Sequence, residues 1–335
     1  MLLTLCLFLV SAGAIYLACE YFVNGIEWLG RKLGLGATAT GTVLAAFGTA
    51  LPESAVTFVA VILGKGPAAR DIGVGAAMGG PLVLATIAYA VVGAALWRNG
   101  RRLHRADPLV RVDHRRLARD QSWFLAIFAV KVGLGLVAFA FKPLLGVLFL
   151  LAYALYVWRE VHSDDTAPEE DALEPLKLRP RQAEPAMRWV LAQTAAALAV
   201  IAVASRVFVG QLEAIGEALA MPPHLVALLL SPVATELPET LNALIWVRQG
   251  KERLALANIS GAMMIQATVP SALAIFATPW RFDAPLIVSG VLTAAAIVYL
   301  WRLFRRGGVD ARRLLPVGLL YGVFAAFVAW HFAAR

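Results

Sequence analysis

The sequence predicts an all-α membrane protein of ten transmembrane helices in two inverted five-helix repeats. Three observations carry that prediction: long apolar runs, basic residues that alternate between the gaps separating those runs, and an internal repeat with an odd number of runs. The chain has 335 residues, 60% of them hydrophobic, and a mean hydropathy of +0.72. That is far too apolar for a soluble globule of this size. A helix needs roughly 20 apolar residues to cross a bilayer. Ten stretches qualify, at about 2–30, 36–63, 71–97, 122–141, 143–160, 187–218, 222–247, 254–279, 284–303 and 314–333.

Taken in order, the first run lacks a basic leading segment and is too long for a cleaved signal, so it reads as a membrane helix. Its Cys6 and Cys19 suit packing and show no disulfide or metal pattern. The second run carries Gly48-Thr49-Ala50-Leu51-Pro52-Glu53 near its middle. The third, DIGVGAAMGGPLVLAT, has four glycines and Pro81 but no side-chain oxygen between Gly73 and Leu84. Close packing is its expected role, with the carbonyl of Ala77, freed by Pro81, as a further oxygen. The loop 98–121 is basic with Asp107, Asp113 and Asp120 interleaved, and reads as a solvated face near anionic headgroups. The polar stretch 161–186 reads as a flexible cytoplasmic linker between a first repeat, 1–160, and a second, 187–335. The seventh run repeats the motif of the second as Ala234-Thr235-Glu236-Leu237-Pro238-Glu239. The eighth holds Asn258, Ser260, Gln266 and Thr268, which suit either a lined cavity or helix–helix hydrogen bonds. Trp97, Trp158, Trp189, Trp246, Trp280 and Trp301 fall near run ends, as an aromatic belt would.

The net charge of +8 raises nucleic acid as a partner, but its distribution argues for a membrane instead. Of the 30 Lys and Arg, 23 fall in the odd-numbered gaps between runs, and five on the opposite side. Lys131 and Arg206 lie within runs. By the positive-inside rule, this puts both termini outside the cytoplasm of a multi-pass protein of an inner or plasma membrane.

The repeat is ungapped at an offset of 186, which aligns Glu53 with Glu239. Phe22 then falls on Phe208, Glu27 on Glu213, Gly30 on Gly216 and Thr49 on Thr235. Five runs per half make the halves enter the membrane in opposite directions, and in such folds a site lies at the repeat interface near the midplane.

The two motifs place oxygen chemistry there. A charge at bilayer depth costs from about 2.5 to more than 10 kcal/mol, so a matched pair of carboxylates implies use. Pro52 leaves the carbonyl of Gly48 without its helical donor, and Pro238 does the same to Ala234. Thr49 and Glu53 are four residues apart, as are Thr235 and Glu239, so each pair shares a helix face. Carboxylates, hydroxyls and freed carbonyls are the hard donors that Ca²⁺, Mg²⁺, Mn²⁺ or Na⁺ accept. Glu236 lies three residues from Glu239. Two readings stay open for it: a third carboxylate on the same face, or a group in a vestibule or held neutral by a hydrogen bond.

The segments GLGATATGTVLAAFGTALPES and LLLSPVATELPETLNAL, with YFVNGIEWLGRKLGLG leading in, resemble the alpha repeats of the calcium/cation antiporter superfamily, the sodium/calcium exchanger type. The resemblance covers both halves and implies ten helices in two inverted repeats. It implies that Thr49, Glu53, Thr235 and Glu239 are ion ligands. Ala50 and Glu236 stand where that family has Ser. The family's partner motif, G-N-x-x-G-S-N-x-x-N, is half kept at Asn258, Gly261 and Gln266 and nearly erased in the first repeat. These departures thin the sodium ligands and favour protons as competitors, since neighbouring carboxylates raise one another's pKa.

The expected function is secondary antiport of a cation, Ca²⁺ foremost, for H⁺ or Na⁺, by alternating access. The expected ligands are Glu53, Glu239, Thr49, Thr235, Glu236, the carbonyls of Gly48 and Ala234, Asn258 and Gln266. Exchange of Na⁺ or Mg²⁺ for protons is the alternative. An intramembrane hydrolase fits less well, because the sequence offers no H-E-x-x-H pair and no Ser–His pairing. A non-transporting scaffold would not need the matched carboxylates. No cofactor beyond the transported cation, no nucleic acid and no obligate protein partner are expected.

Overall fold

One helix, Glu252–Ala277, is buried along nearly its whole length, and the other elements pack around it. A helix apolar on all sides has no solvent face to offer and goes to the centre. The computed structural model describes residues 2–50, 67–100, 109–137, 141–162, 173–218, 229 and 231–333. In chain order, α1 is Leu2–Lys32 and α2 covers 37–50, with Thr40–Ala45 wound as π-helix. Then α3 is Pro67–Val83, followed by a π-helical stretch Leu84–Ala88 and α4, Tyr89–Asn99. Next come α5 His114–Leu136, α6 Gly146–His162 and α7 Met187–Ala218. A short α8, Ser231–Thr235, precedes α9, Leu237–Arg248. The central helix is α10; α11 is Ala284–Arg306 and α12 is Leu319–Ala333.

Local chemistry sets several of these ends. Asp113 caps α5 by accepting from the backbone N–H groups of Arg115 and Arg116, and Asp283 caps α11 through Leu286. Pro81 removes one helical donor from α3, and the π-helical stretch follows within a turn.

Helices α1 and α7 run antiparallel as a pair: Phe8 stacks on Phe208 at 4.5 Å, while Gly25 meets Thr194. Around α10 lie α2, α3, α5, α6 and α9. The outer surfaces of α1, α6, α7 and α12 expose Leu9, Val10, Leu151, Val203 and Val323, as a lipid-facing surface requires.

Among the described residues, seven helices are long and apolar enough to cross a membrane: Leu2–Lys32, Ala77–Asn99, Lys142–His162, Met187–Ala218, Glu252–Ala277, Ala284–Arg306 and Ala311–Ala333. The other three expected spans are not among these seven. The span at 36–63 lies partly outside the described residues, and α5 carries Arg115, Arg116, Arg119 and Lys131. The span at 222–247 is interrupted at Glu236, and its first residues also lie outside those described.

Three expectations need correction. Trp246 and Trp280 are fully buried core residues and not part of an aromatic belt, whereas Trp97 and Trp158 are exposed. The indole of Trp246 donates to Glu27 and that of Trp280 to the carbonyl of Lys131. Within 98–121, Arg116 and Asp120 are buried, and Arg116 pairs with the buried Glu160. The part of the linker from 173 on is docked, not loose. Asn24 and Trp28 donate to the carbonyl of Glu174, Gln193 accepts from Leu178 N, and Arg31 and Lys32 pair with Glu184. Leu176 packs against Trp28 and Val190, which ties this strap to both α1 and α7.

Candidate cation site

The second motif is built on a broken helix. Residue Glu236 stands between α8 and α9 at φ −84°, ψ 4°, in the sparsely allowed bridge region where active-site residues are common. Pro238 occupies the first turn of α9, where it needs no donor, so the helix restarts there. The break turns Glu236 and Glu239 inward: they are 0% and 1% exposed. Gln266 on α10 donates from Nε2 to Glu236 Oε1 at 2.5 Å. Asn258, two turns earlier on α10, donates from Nδ2 to the carbonyl of Glu239 at 3.2 Å, and its Oδ1 is buried without a hydrogen-bond partner among the described residues. Glu236 is thus both buried and hydrogen-bonded.

Helix α3 closes one side. A Cβ placed on Gly80 would fall 2.2 Å from Gln266 Oε1 and 2.7 Å from Glu236 Oε1, so only a glycine lets α3 approach the pair. On the other side α2 crosses α10 in backbone contact, with Gly261 against the main chain of Thr42.

The two motif segments converge on one turn of α1. Cys19 Sγ donates to the carbonyl of Pro238 at 3.8 Å, and the ring of Phe22, three residues on, lies against Gly48. Thr49 is buried, with its hydroxyl donating to Ala45 O at 3.1 Å, which leaves its oxygen lone pairs available. Ala234 is buried, whereas Thr235 is half-buried and donates within its own turn to Pro232 O at 3.1 Å. The helix break means that Thr235 and Glu239 do not share one unbroken helix face, a difference from the spacing argument. Glu53, with Leu51 and Pro52, lies outside the described residues.

Other expected donors are engaged elsewhere. Ser260 bonds the hydroxyl of Tyr89 at 3.0 Å, and Thr268 donates back to Met264 O and Ile265 O. The carbonyl of Ala77 is taken by the ammonium of Lys131 at 2.6 Å. One residue was missed from sequence: Asn242 on α9 is fully buried, one turn past Glu239, and neither amide atom has a hydrogen-bond partner among the described residues. Its spacing from Glu239 was the available signal.

The chain as a whole has known counterparts. The sodium/calcium exchanger protein family matches residues 3–161 and 189–331. The chain belongs to the sodium/calcium exchanger family. It is therefore a multi-pass membrane protein of a cation antiporter family. Inner membrane protein YrbG of Escherichia coli (strain K12) is 25% identical over 344 residues, spanning 98% of this chain and 96% of that one. Solved structures of the exchanger NCX_Mj share the fold. The form soaked with 2.5 mM Na⁺ and 10 mM Sr²⁺ aligns at a TM-score of 0.76 and 18% identity, over 97% of this chain and 98% of that one. The form soaked without Na⁺ and Ca²⁺ aligns at 0.75 and 19%, over 97% and 99%.

Proposed function

We propose that this family member exchanges Ca²⁺ for H⁺ or Na⁺ by alternating access through Glu53, Glu236 and Glu239, with Thr49, Thr235, the carbonyls of Gly48 and Ala234, Asn258, Gln266 and Asn242 as further oxygen donors. The observation that carries the reading is the convergence of Gly48 and Pro238, one from each motif, on one turn of α1, with two carboxylates and two amides buried together at α10. Buried carboxylates side by side favour a bound divalent cation or protons over an empty charged state. The structure of NCX_Mj soaked with Na⁺ and Sr²⁺, one of a set on extracellular ion exchange and induced binding-site occlusion, supports a cation as the cargo.

In this reading the ten-helix inverted repeat holds, with repeats at 1–160 and 187–335 about the linker 161–186, and both termini outside the cytoplasm of the inner membrane. The antiparallel pairing of α1 with α7 favours it, because those helices align under the repeat offset. The pair moves against the rest to expose the site on alternate sides. At the arginine-rich, cytoplasmic end, Glu27 of α1 accepts from Trp246 at 2.8 Å and from Lys251 at 2.5 Å, which closes that side.

The test is Ca²⁺ uptake into proteoliposomes, driven by a pH gradient or by a Na⁺ gradient. Uptake with either identifies the counter-ion and supports the reading. Flux with neither discards Ca²⁺. Glu239→Gln should abolish uptake while leaving the purified protein monodisperse; unimpaired exchange in that variant refutes the carboxylate mechanism.

A further inference from the structure

Asp120 is a buried carboxyl that plays no part in the cation site. It lies near the start of α5, ahead of the expected span 122–141, and is 1% exposed. Neither Oδ1 nor Oδ2 has a hydrogen-bond partner among the described residues. The two arginines nearest to it along α5 are turned elsewhere. Arg116, four residues back and so on the same helix face, donates from Nε at 3.2 Å and from Nη2 at 2.5 Å to Oε2 of Glu160 on α6. Arg119 donates from Nη2 to Oε1 of Glu160 at 3.2 Å. Glu160 is as buried as Asp120, so of two neighbouring carboxyls one receives both guanidinium groups and the other receives neither. A buried carboxylate without a partner is far costlier than the neutral acid. Burial, and then the charge of Glu160, push the Asp120 carboxyl well up; Arg119 and Arg116 oppose the shift, and Asp113 adds to it. Tyr156 of α6 and Tyr89 of α4 also lie within electrostatic reach, and the buried hydroxyl of Tyr156 has no hydrogen-bond partner among the described residues. Helices α10 and α11 pack along α5. Their charged groups at this end are Glu252, which accepts from Arg111 N at 2.7 Å, Arg253, and the exposed Arg302, Arg305 and Arg306. Gln121, the next residue, donates to the Tyr89 hydroxyl at 2.7 Å, and that hydroxyl bonds Ser260 of α10 at 3.0 Å. The carboxyl therefore sits where side chains tie α5 to α4, α6 and α10.

We propose that Asp120 is a proton-binding site at the arginine-rich end of the protein, and that its bound proton keeps Arg116 and Arg119 on Glu160. When the O–H of Asp120 gives its proton to water, a buried carboxylate appears one helical turn from Arg116. That arginine then turns to it, and the tie between α5 and α6 slackens. The site is a switch that holds at neutral and acid pH and lets go as pH rises. It stands whether or not the exchange reading does.

Infrared difference spectroscopy of the purified full chain reads the proton directly. Wild type minus Asp120→Asn at pH 7 should show the carbonyl band of one protonated carboxylic acid, shifted in heavy water. Absence of that band overturns the proposal. Glu160→Gln removes the competing carboxylate and releases the arginines, so in that background the Asp120 band should be lost at pH 7. A band that persists there overturns the competition for the arginines. Thermal melting gives an independent readout. Asp120→Asn keeps the size of the side chain and removes its charge, so it should fold at least as well as wild type. A carboxyl whose value is raised by folding loses stability as pH climbs from its unfolded value, about 4, towards its folded one. The melting temperature of Asp120→Asn should therefore pull ahead of wild type progressively from pH 5 to 8. A gap that stays constant over that range, or a variant less stable throughout, makes Asp120 an ordinary ionised residue and overturns the proposal.

Discussion

Gly80→Ala is the sharpest test of the cluster, because it adds one carbon at a measured place. The new Cβ would lie 2.2 Å from Gln266 Oε1, where ordinary contact begins near 3.4 Å. The amide must retreat by about 1.2 Å, yet its Nε2 is engaged 2.5 Å from Glu236 Oε1. That oxygen is itself only 2.7 Å from the same carbon, so it cannot follow. The hydrogen bond is lost. A hydrogen bond to a charged acceptor contributes about 1.5–3 kcal/mol, which corresponds to roughly 10- to 150-fold in an equilibrium constant. Alanine is the better helix former by about 0.5–1 kcal/mol, so α3 itself should not suffer. Radiolabelled Ca²⁺ binding to the detergent-purified protein should weaken by that factor in Gly80→Ala. It should be unchanged in Gly75→Ala, where no atom lies within 4 Å of the added carbon. Affinity within twofold of wild type for Gly80→Ala would mean that Glu236 and Gln266 take no part in holding the ion.

Asn242→Leu should trade function for stability: it removes a buried amide with no hydrogen-bond partner among the described residues, a group whose desolvation costs about 1–3 kcal/mol. The melting temperature should rise while Ca²⁺ affinity falls; a fall in both would make Asn242 a structural residue. Lys251→Met should lower the melting temperature sharply, because it strips the ion-pair partner from Glu27, whose side chain is only 5% exposed, and breaking such a pair costs about 3–5 kcal/mol. Adding Glu27→Gln to it should restore most of the loss, and a double variant no better than the single one counts against the latch. The strap responds to acid. The Glu184 carboxyl is held below its ordinary 4.5, chiefly by its hydrogen bond from Lys32 and then by the charge of Arg31. A lowered carboxylate stabilises docking fully above its ordinary value and loses that contribution as pH falls through the lowered one. Hydrogen exchange over 173–186, corrected for its intrinsic rate, should be flat from pH 8 to 5 and rise below 4.5; loosening already at pH 6 would assign the strap to other contacts.

The sequence singled out Glu236, Glu239, Asn258 and Gln266, which the structure brings together around α10, while Glu53 of the first motif lies outside the described residues. Pro238 beside Glu239 announces a lost helical donor because proline cannot continue the hydrogen-bond ladder, and the structure goes further by breaking the helix two residues earlier, at Glu236. Asn258 and Gln266 stand out because amides are rare in a helix that is otherwise apolar. Gly80 read only as a packing residue. That it admits a carboxylate and an amide depends on which helices cross there, and one-dimensional spacing does not carry that. Lys131 was counted as a charge within a span and no more, since its partner, Ala77 O, is 54 residues away and is a backbone atom that every residue has. Trp246 and Trp280 illustrate the same limit. Their positions at run ends fit a lipid interface, but a buried indole needs an acceptor, and Glu27 and Lys131 O supply it from distant helices.

The asymmetry between the halves follows from where each places its charge. In the second repeat two amides of α10 reach across to the motif, Gln266 donating to the Glu236 carboxylate and Asn258 to the main-chain carbonyl of Glu239. The corresponding helix of the first repeat, α3, has glycines and a proline, and its oxygen comes from the backbone. A bare carbonyl in that setting must find a donor or a cation, since lipid offers neither. Lys131 satisfies it from α5, and α5 in turn is fixed by Trp280 and by Lys142, which donates to the carbonyls of Val137, Pro279 and Trp280. Those contacts help hold Trp280 at φ 45°, a left-handed conformation that a bulky side chain rarely adopts. Strain of that kind persists only where its surroundings over-determine it. Here the surroundings are the two lysines and the turn that joins α10 to α11. The chain therefore maintains a strained tryptophan and a buried ammonium together, on the side of the site from which side-chain ligands are missing.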